Sequence, residues 1–283
     1  ISGCIMNRKK VEKKIRIAGF YIVACLIAVI VLIPFLWMLS TSLKNKGALM
    51  QLPVEWIPKN PTLDSYAKVF SRFPFLRAIF NSLFITVSYT VITILSSSMA
   101  AFAFTKIKFP YADAVFKLYL ASMMIPTQVT MIPLFVVMNR LGLINTYPSV
   151  ILPSLFRAFA VFMLVQQMRG IPDDYMEAAE LDGASLFRIY RTVILPLSKS
   201  SIATLTVTTF MESWNDYLWP LLMLNDKNKM TLTLALNSLN GQYGTEYNLL
   251  MAGSLISMIP IIIVYICAQK YFKEGLMAGG VKG

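Results

Sequence analysis

The chain has 283 residues, of which 57% are apolar and 14% charged, and a mean hydropathy of +0.62; soluble domains average roughly 45–50% apolar and about 25% charged. A soluble fold of this composition would leave large apolar patches in water, so one integral membrane domain is expected. The sequence contains no histidine, which removes His-dependent acid–base, nucleophilic and mixed Cys/His zinc chemistry, and the net charge of +12 sits at the ends of apolar runs rather than on a basic face with interleaved aromatics, so no nucleic-acid partner is expected.

The first residues, Ile1-Ser2-Gly3-Cys4, are not preceded by the charged segment and apolar run of a lipoprotein signal, and Met6 followed by Asn7-Arg8-Lys9-Lys10 reads as a natural start. Cys4, Cys25 and Cys267 have no metal-ligand spacing, and two of them lie in apolar runs where cysteine acts as a small hydrophobe; no metal site is expected. A bilayer core of about 30 Å takes about 20 residues of helix. Apolar stretches of that order, bounded by charge or turn residues, occur at 17–43, 78–104, 112–138, 149–168, 200–224 and 249–269, the third interrupted by Pro126 and Pro133. Only helices and closed barrels satisfy their backbone in hydrocarbon, and these runs lack the alternation of barrel strands. The expected class is therefore an all-α membrane protein of six transmembrane helices, with an N-terminal segment 1–16, a six-span domain 17–272 and a tail 273–283.

Basic residues favour the cytoplasmic side of a membrane. Arg8, Lys9, Lys10, Lys13, Lys14 and Arg16 precede the first span, and Lys106, Lys108, Arg169, Arg188, Arg191 and Lys199 lie in the loops that six crossings place on the same side, with Lys270, Lys273 and Lys282 after the last span. Both termini are expected in the cytoplasm.

Between spans four and five, residues 170–197 read as a helix, a turn and a second short helix. Pro172 with Asp173 and Asp174 suits a helix N-terminus, where the ring needs no donor and carboxylates favour the positive dipole end. Gly183 supplies the turn, and Pro196 ends or kinks the second helix. By themselves these residues are compatible with an acidic, solvated connector.

Arg157 in span four and Glu212 in span five are costly in hydrocarbon and should face the bundle interior, a cavity or each other. At about 1.5 Å per residue they lie roughly 17 and 20 Å from the inner ends of their spans, so an ion pair is expected, with direct substrate contact as the other role. Gln128 lies in the proline-broken span three, and broken backbone at depth is tolerated where it lines a cavity or is covered by protein. Gln128, Trp214, Asn215 and Tyr217 are candidates to line a solute pathway, with hydrogen-bonding groups beside aromatic faces; the Trp and Tyr near Pro220 fit interface anchoring equally well. The outer loop 225–248, with Asn240, Gly241, Gln242 and Tyr243, is polar and turn-rich.

Glu177-Ala178-Ala179, then Gly183, then Leu195-Pro196 resembles the EAA loop of ABC importer permeases, with Val193 where that pattern usually has Ile. Pro61-Thr62-Leu63-Asp64-Ser65-Tyr66, Met124-Ile125-Pro126, Trp214-Asn215-Asp216-Tyr217-Leu218-Trp219-Pro220-Leu221 and the ending Gly279-Gly280-Val281-Lys282-Gly283 resemble the carbohydrate-uptake branch, the type of the smaller maltose-transporter permease. The resemblance implies a non-catalytic, multi-pass subunit of the bacterial cytoplasmic membrane. It would translocate a sugar or oligosaccharide with a second homologous permease, two ATPase subunits and an extracytoplasmic sugar-binding protein. It further implies an ATPase-coupling role for Glu177, Ala178, Ala179, Asp182, Gly183, Leu195 and Pro196, with the alanines allowing close approach, and a binding-protein contact for the loop carrying Asn240 to Tyr243. The sequence has no Gly-x-x-x-x-Gly-Lys-Ser/Thr phosphate cradle, so ATP and Mg belong by this resemblance to the partner ATPase and no cofactor to this chain. A permease for glycerol-phosphate or another small solute shares these motifs. A secondary transporter would leave the 177–196 pattern without a purpose, and a membrane enzyme lacks the paired carboxylates, metal ligands or nucleophile it would need.

Overall fold

The computed structural model describes residues 2–50, 55–72, 74–241 and 244–279. These group into two units, one of residues 1–69 and 239–256 and one of 70–238 and 257–283. The first opens with α1 (Ser2–Ser42), whose apolar part, Lys14–Ser42, buries none of its most apolar stretch within the chain. A helix that is apolar all round and uncovered belongs in lipid or against another membrane chain. Beyond a 3₁₀ turn (Lys46–Met50), the chain folds back so that Trp56 meets Trp37 edge to face at 5.0 Å and Ser40 bonds the Trp56 carbonyl at 2.5 Å. Then comes α2 (Asp64–Arg72).

The second unit is organised on α3 (Phe75–Lys106), against which several later elements pack. After it come α4 (Ala112–Ser122), α5 (Thr127–Arg140), α6 (Tyr147–Ile151), a 3₁₀ turn (Leu152–Phe156) and α7 (Ala158–Arg169). The connector carries α8 (Asp174–Leu181), α9 (Leu186–Ile189), a π-helical turn (Tyr190–Ile194) and α10 (Leu195–Leu197). It leads into α11 (Lys199–Asn215), α12 (Leu218–Met223) and α13 (Leu232–Ser238). In the part of the first unit at 239–256, a two-residue antiparallel ladder, β1 (Asn240–Gly241) with β2 (Gly244–Thr245), precedes α14 (Tyr247–Gly279), whose residues from 257 on belong to the second unit.

The reason α3 can serve as the hub is its inward face. Ser82, Thr86, Thr90, Thr93 and Ser97 recur at helical spacing and are buried, and small residues let helices approach closely where there is no hydrophobic drive to join them. Two of the hydroxyls also take up backbone groups that have no helical partner: Ser82 accepts from the Leu232 N–H at the start of α13 at 2.7 Å, and Thr93 donates to the Ser154 carbonyl in the 3₁₀ turn at 3.3 Å. Around this stripe, one apolar cluster gathers Phe102, Leu164, Met168, Ile189, Ile194 and Leu205, and another gathers Ile85, Met138, Ile151, Trp219 and Met223.

Among the described residues four helices are long and apolar enough to cross a membrane, and two bent pairs, α4 with α5 and Leu186–Leu197 with α11, raise the count to six when each is one span. The helical class and this span count agree with the composition, but three of the expected spans differ in form. The third is α4 and α5 meeting at 102°: Pro126 precedes α5, whereas Pro133 lies inside it without ending it. The fourth is interrupted at 152–157, where Pro153 sits in the 3₁₀ turn and Arg157 is extended. The fifth ends at Asn215 rather than 224, because extended Asp216 accepts from the Trp219 N–H at 3.4 Å and starts a separate short helix.

Ser97 is fully buried and its hydroxyl has no hydrogen-bond partner. Ser97→Ala should therefore leave stability unchanged or raise it, since an unsatisfied hydroxyl is removed. Ser97→Leu should cost about 1–3 kcal/mol by overpacking. Thermal unfolding of the detergent-solubilised chain checks both; equal losses would show that the α3 seam has room to spare.

Candidate functional site: a polar cavity and a helix-turn-helix connector

The breaks in the second unit converge on a cavity of about 300 Å³ whose lining includes Tyr89, Gln128, Arg157, Glu212, Asp216 and Trp219. That volume is at the lower end of the range for small-ligand sites, roughly 300–1,000 Å³. Arg157 is placed there because the chain is extended at that residue, between the 3₁₀ turn and α7. Its guanidinium donates to the Tyr89 hydroxyl at 2.8 Å through Nη1 and pairs with Glu212 through Nη2. The Arg157 side chain is 26% exposed and that of Glu212 55% exposed, so the pair is more open on its carboxylate side. Gln128 lines the same cavity from the first turn of α5.

The other pathway candidates are not part of this lining. Trp214 is buried, stacked on Phe210 at 5.8 Å, and its indole N–H donates to the Ser257 carbonyl at 3.0 Å, a packing role. The Asn215 amide donates back to the Met211 carbonyl at 2.8 Å, and the Tyr217 hydroxyl accepts from Asn237 at 2.7 Å. Tyr89, Asp216 and Trp219 line the cavity without being among the pathway candidates: Asp216 and Trp219 stand in the 214–221 motif, and Tyr89 is a phenol inside an apolar run, the signal that points to it. Among the described residues no group of His, Cys, Asp and Glu could hold a metal ion.

The connector 170–197 is built from local rules. In α8, Met176 is buried and Ala179 half-buried against the apolar cluster, while Glu177, Ala178 and Glu180 face outward. Of the two alanines, Ala178 is exposed, whereas Ala179 seats the helix on the chain's own apolar cluster. Asp182 ends α8, and Gly183 comes next at φ +76°, the left-handed conformation that glycine adopts without strain. The Ala184 N–H bonds the Ala179 carbonyl at 3.0 Å and the Gly183 N–H bonds the Glu180 carbonyl at 2.9 Å, a Schellman closure. Ser185 caps α9 by accepting from the Arg188 N–H at 3.4 Å. Leu195 is half-buried, Pro196 lies in the first turn of α10, and the chain then bends by 79° into α11.

Electrostatics at the connector's entrance centre on Lys106, whose side chain is only 3% exposed. Its ammonium donates to the Ile171 carbonyl and to Asp173 Oδ1, both at 2.6 Å. The hydrogen bond from Lys106, and then its charge, holds the Asp173 carboxyl below the usual carboxylate range.

Residues 92–277 match the family described as binding-protein-dependent transport system inner membrane component. The chain belongs to that family. This permease is 36% identical over 260 residues to the arabinooligosaccharides transport system permease protein AraQ of Halalkalibacterium halodurans, covering 91% of this chain and 93% of the relative. It is 32% identical to the sn-glycerol-3-phosphate transport system permease protein UgpE of Salmonella typhi, over 89% of this chain and 92% of the relative. Among solved structures, a bacterial ABC transporter involved in the import of the acidic polysaccharide alginate superposes with a TM-score of 0.81 at 25% identity, over 91% of this chain and 97% of that one. Of the loop residues expected to meet a binding protein, Asn240 and Gly241 form β1, and Gln242 and Tyr243 lie outside the described residues.

Two outcomes test these geometries. Arg157→Met and Glu212→Gln should each lower the unfolding temperature, and the double variant should lose less than the sum, with a coupling of about 0.5–3 kcal/mol; strict additivity would mean that the pair does not interact in solution. For Asp173 the folded carboxyl titrates below its unfolded value of about 3.9, so its contribution is complete above that pH and is lost as pH falls through the folded value. The stability difference between the permease and Asp173→Asn should be constant at neutral pH and close on acidification below about pH 4, as read by unfolding at each pH.

Proposed function

We propose that this permease imports a neutral sugar or oligosaccharide handed over by an extracytoplasmic binding protein, in a pathway shared with a second homologous permease. Two ATPase subunits, holding ATP and Mg, drive it by docking on the 170–197 connector. The observation that carries this reading is α8: a short helix between two membrane helices that buries one side on its own core and presents Glu177, Ala178, Glu180 and the 89%-exposed Leu181 outward. An acidic and apolar surface of that kind, held on a rigid turn, suits a partner that supplies basic and apolar groups. The basic residues flanking the spans support placing the connector and both termini in the cytoplasm.

Chemistry at the cavity favours a neutral solute over a phosphorylated one. Arg157 already has Glu212 as its counter-ion, and Asp216 adds a second carboxylate to the lining. A phosphate entering there would find the guanidinium already paired and two acidic side chains in the wall, whereas sugar hydroxyls can bond both acidic side chains and accept from Gln128 and Arg157. Trp219 and Tyr89 supply aromatic surface beside them.

The test is a mild-detergent pull-down of the tagged permease from its own cells, alongside uptake of labelled arabinooligosaccharide and sn-glycerol-3-phosphate by those cells. The expected result is co-recovery of an ATPase, a second permease and a binding protein, with the ATPase lost roughly ten-fold or more in Glu177→Lys, since a reversed charge in a docked interface repels its partner. Recovery of the permease alone, unchanged by Glu177→Lys, would overturn the coupling reading; uptake of the phosphate ester in preference to the neutral oligosaccharide would overturn the substrate class.

A further inference from the structure

Several elements of the second unit hang on α3 by polar contacts, and these are spaced along one unbroken helix. At Tyr89 the phenol receives the Arg157 guanidinium at 2.8 Å. Further along the helix, Ser98 Oγ lies 2.7 Å from the Tyr190 hydroxyl, both buried, where the π-helical turn leaves the connector. In the last turn, the buried ammonium of Lys106 grips the Ile171 carbonyl and Asp173 at the connector's entrance. Tyr89 and Lys106 are roughly 26 Å apart along the axis at about 1.5 Å per residue, and Ser98 is about 12 Å from Lys106.

We propose that Lys106 and Tyr190 are positioning residues for energy coupling: together they clamp the 170–197 connector to α3 at its entrance and at its π-helical turn, so that the connector and the cavity move with one rod. This rests on the coupling role proposed above. Physical features single out these two contacts. The Lys106 side chain is 3% exposed and donates to a backbone carbonyl and a carboxylate at once, and charge-assisted bonds are the stronger kind. The Ile171 carbonyl belongs to the turn between α7 and α8, so its lock acts on backbone and not on a mobile side chain. At the other end, the π-helical turn is the irregular stretch of the connector, a kind of bulge that is often found at functional sites. Phe102, one turn from Ser98 on α3, packs its ring on Tyr190 at 5.4 Å and completes the grip. The clamp holds the connector from its buried side, and the outward surface of α8 at Glu177 and Ala178 stays exposed.

The experiment compares the whole permease, purified with whatever subunits accompany it, as wild type, Lys106→Met, Lys106→Arg and Tyr190→Phe. Two readouts are taken: amide hydrogen exchange along the chain, and uptake per ATP hydrolysed in proteoliposomes with the co-purified binding protein and labelled arabinooligosaccharide. Lys106→Met should speed exchange of the amides at 174–182 by about ten-fold or more, as expected for losing charge-assisted bonds, while those of α7 stay protected; Tyr190→Phe should do so at 190–197. Uptake per ATP should fall several-fold in both with the ATPase still bound, and Lys106→Arg should retain both properties. Unchanged exchange at 174–182, or faster exchange spread equally through α7, would overturn the clamp, the second by showing Lys106 to be a general packing residue. Wild-type uptake per ATP despite faster connector exchange would overturn its role in coupling. If no ATPase accompanies the wild-type permease, the coupling function itself fails, an outcome separate from the clamp because the exchange pattern is read without any partner.

Discussion

Hydrocarbon offers no water to a free peptide group, and the buried polar face of α3 is how this permease meets that condition while still breaking its helices. A span that is interrupted leaves carbonyls and N–H groups without intrahelical partners, each costing several kcal/mol in an apolar medium. Thr93 on α3 takes up such a group, the Ser154 carbonyl of the broken fourth span, and Ser82 accepts the first N–H of α13, which an isolated helix start leaves free. Their small side chains also let the neighbours come close enough for the exchange to be made. The apolar clusters on either side then pack against an already satisfied backbone.

This arrangement explains why the interruptions gather in one place. The bend between α4 and α5, the extended residue at Arg157 and the end of α11 at Asp216 all border the same cavity. Broken helix is tolerated where it faces a cavity or is covered, and the groups it frees are what a polar solute needs. Arg157 and Glu212 belong to the same logic: each is costly alone, and their pairing, with the Tyr89 hydroxyl, lets two charges stand at the cavity wall. The protein thus places its polar groups where its backbone is already irregular, and leaves α1 and the outward faces of the other spans apolar.

The connector has a different origin. Its shape is local, made by Gly183 in a left-handed conformation, a Schellman closure and a serine cap, none of which needs the rest of the chain. Its placement is not local: Lys106 and Ser98, more than sixty residues earlier, decide where the turn lies against the spans. A rigid local shape on a non-local mount is what an element needs if it is to pass movement without absorbing it.

The sequence by itself determined the membrane class, the number of apolar runs, the helix-turn-helix of the connector with its glycine, and the meeting of Arg157 with Glu212. These come from quantities that are additive or local: the apolar content of a run, the φ that glycine permits, the cost of a lone charge at depth. What only the tertiary structure decided was facing and interruption. Trp214 and Trp219 sit five residues apart in the same motif, yet one bonds Ser257 within the packing and the other lines the cavity with its N–H on the Ser149 carbonyl. Nothing in an all-apolar run marks which side will be covered, because there is no polar face to fix the helix rotation; the neighbours fix it. The ending of a helix at Asp216 and the burial of Lys106 depend likewise on partners far away in the chain, and those partners meet only when the helices have packed.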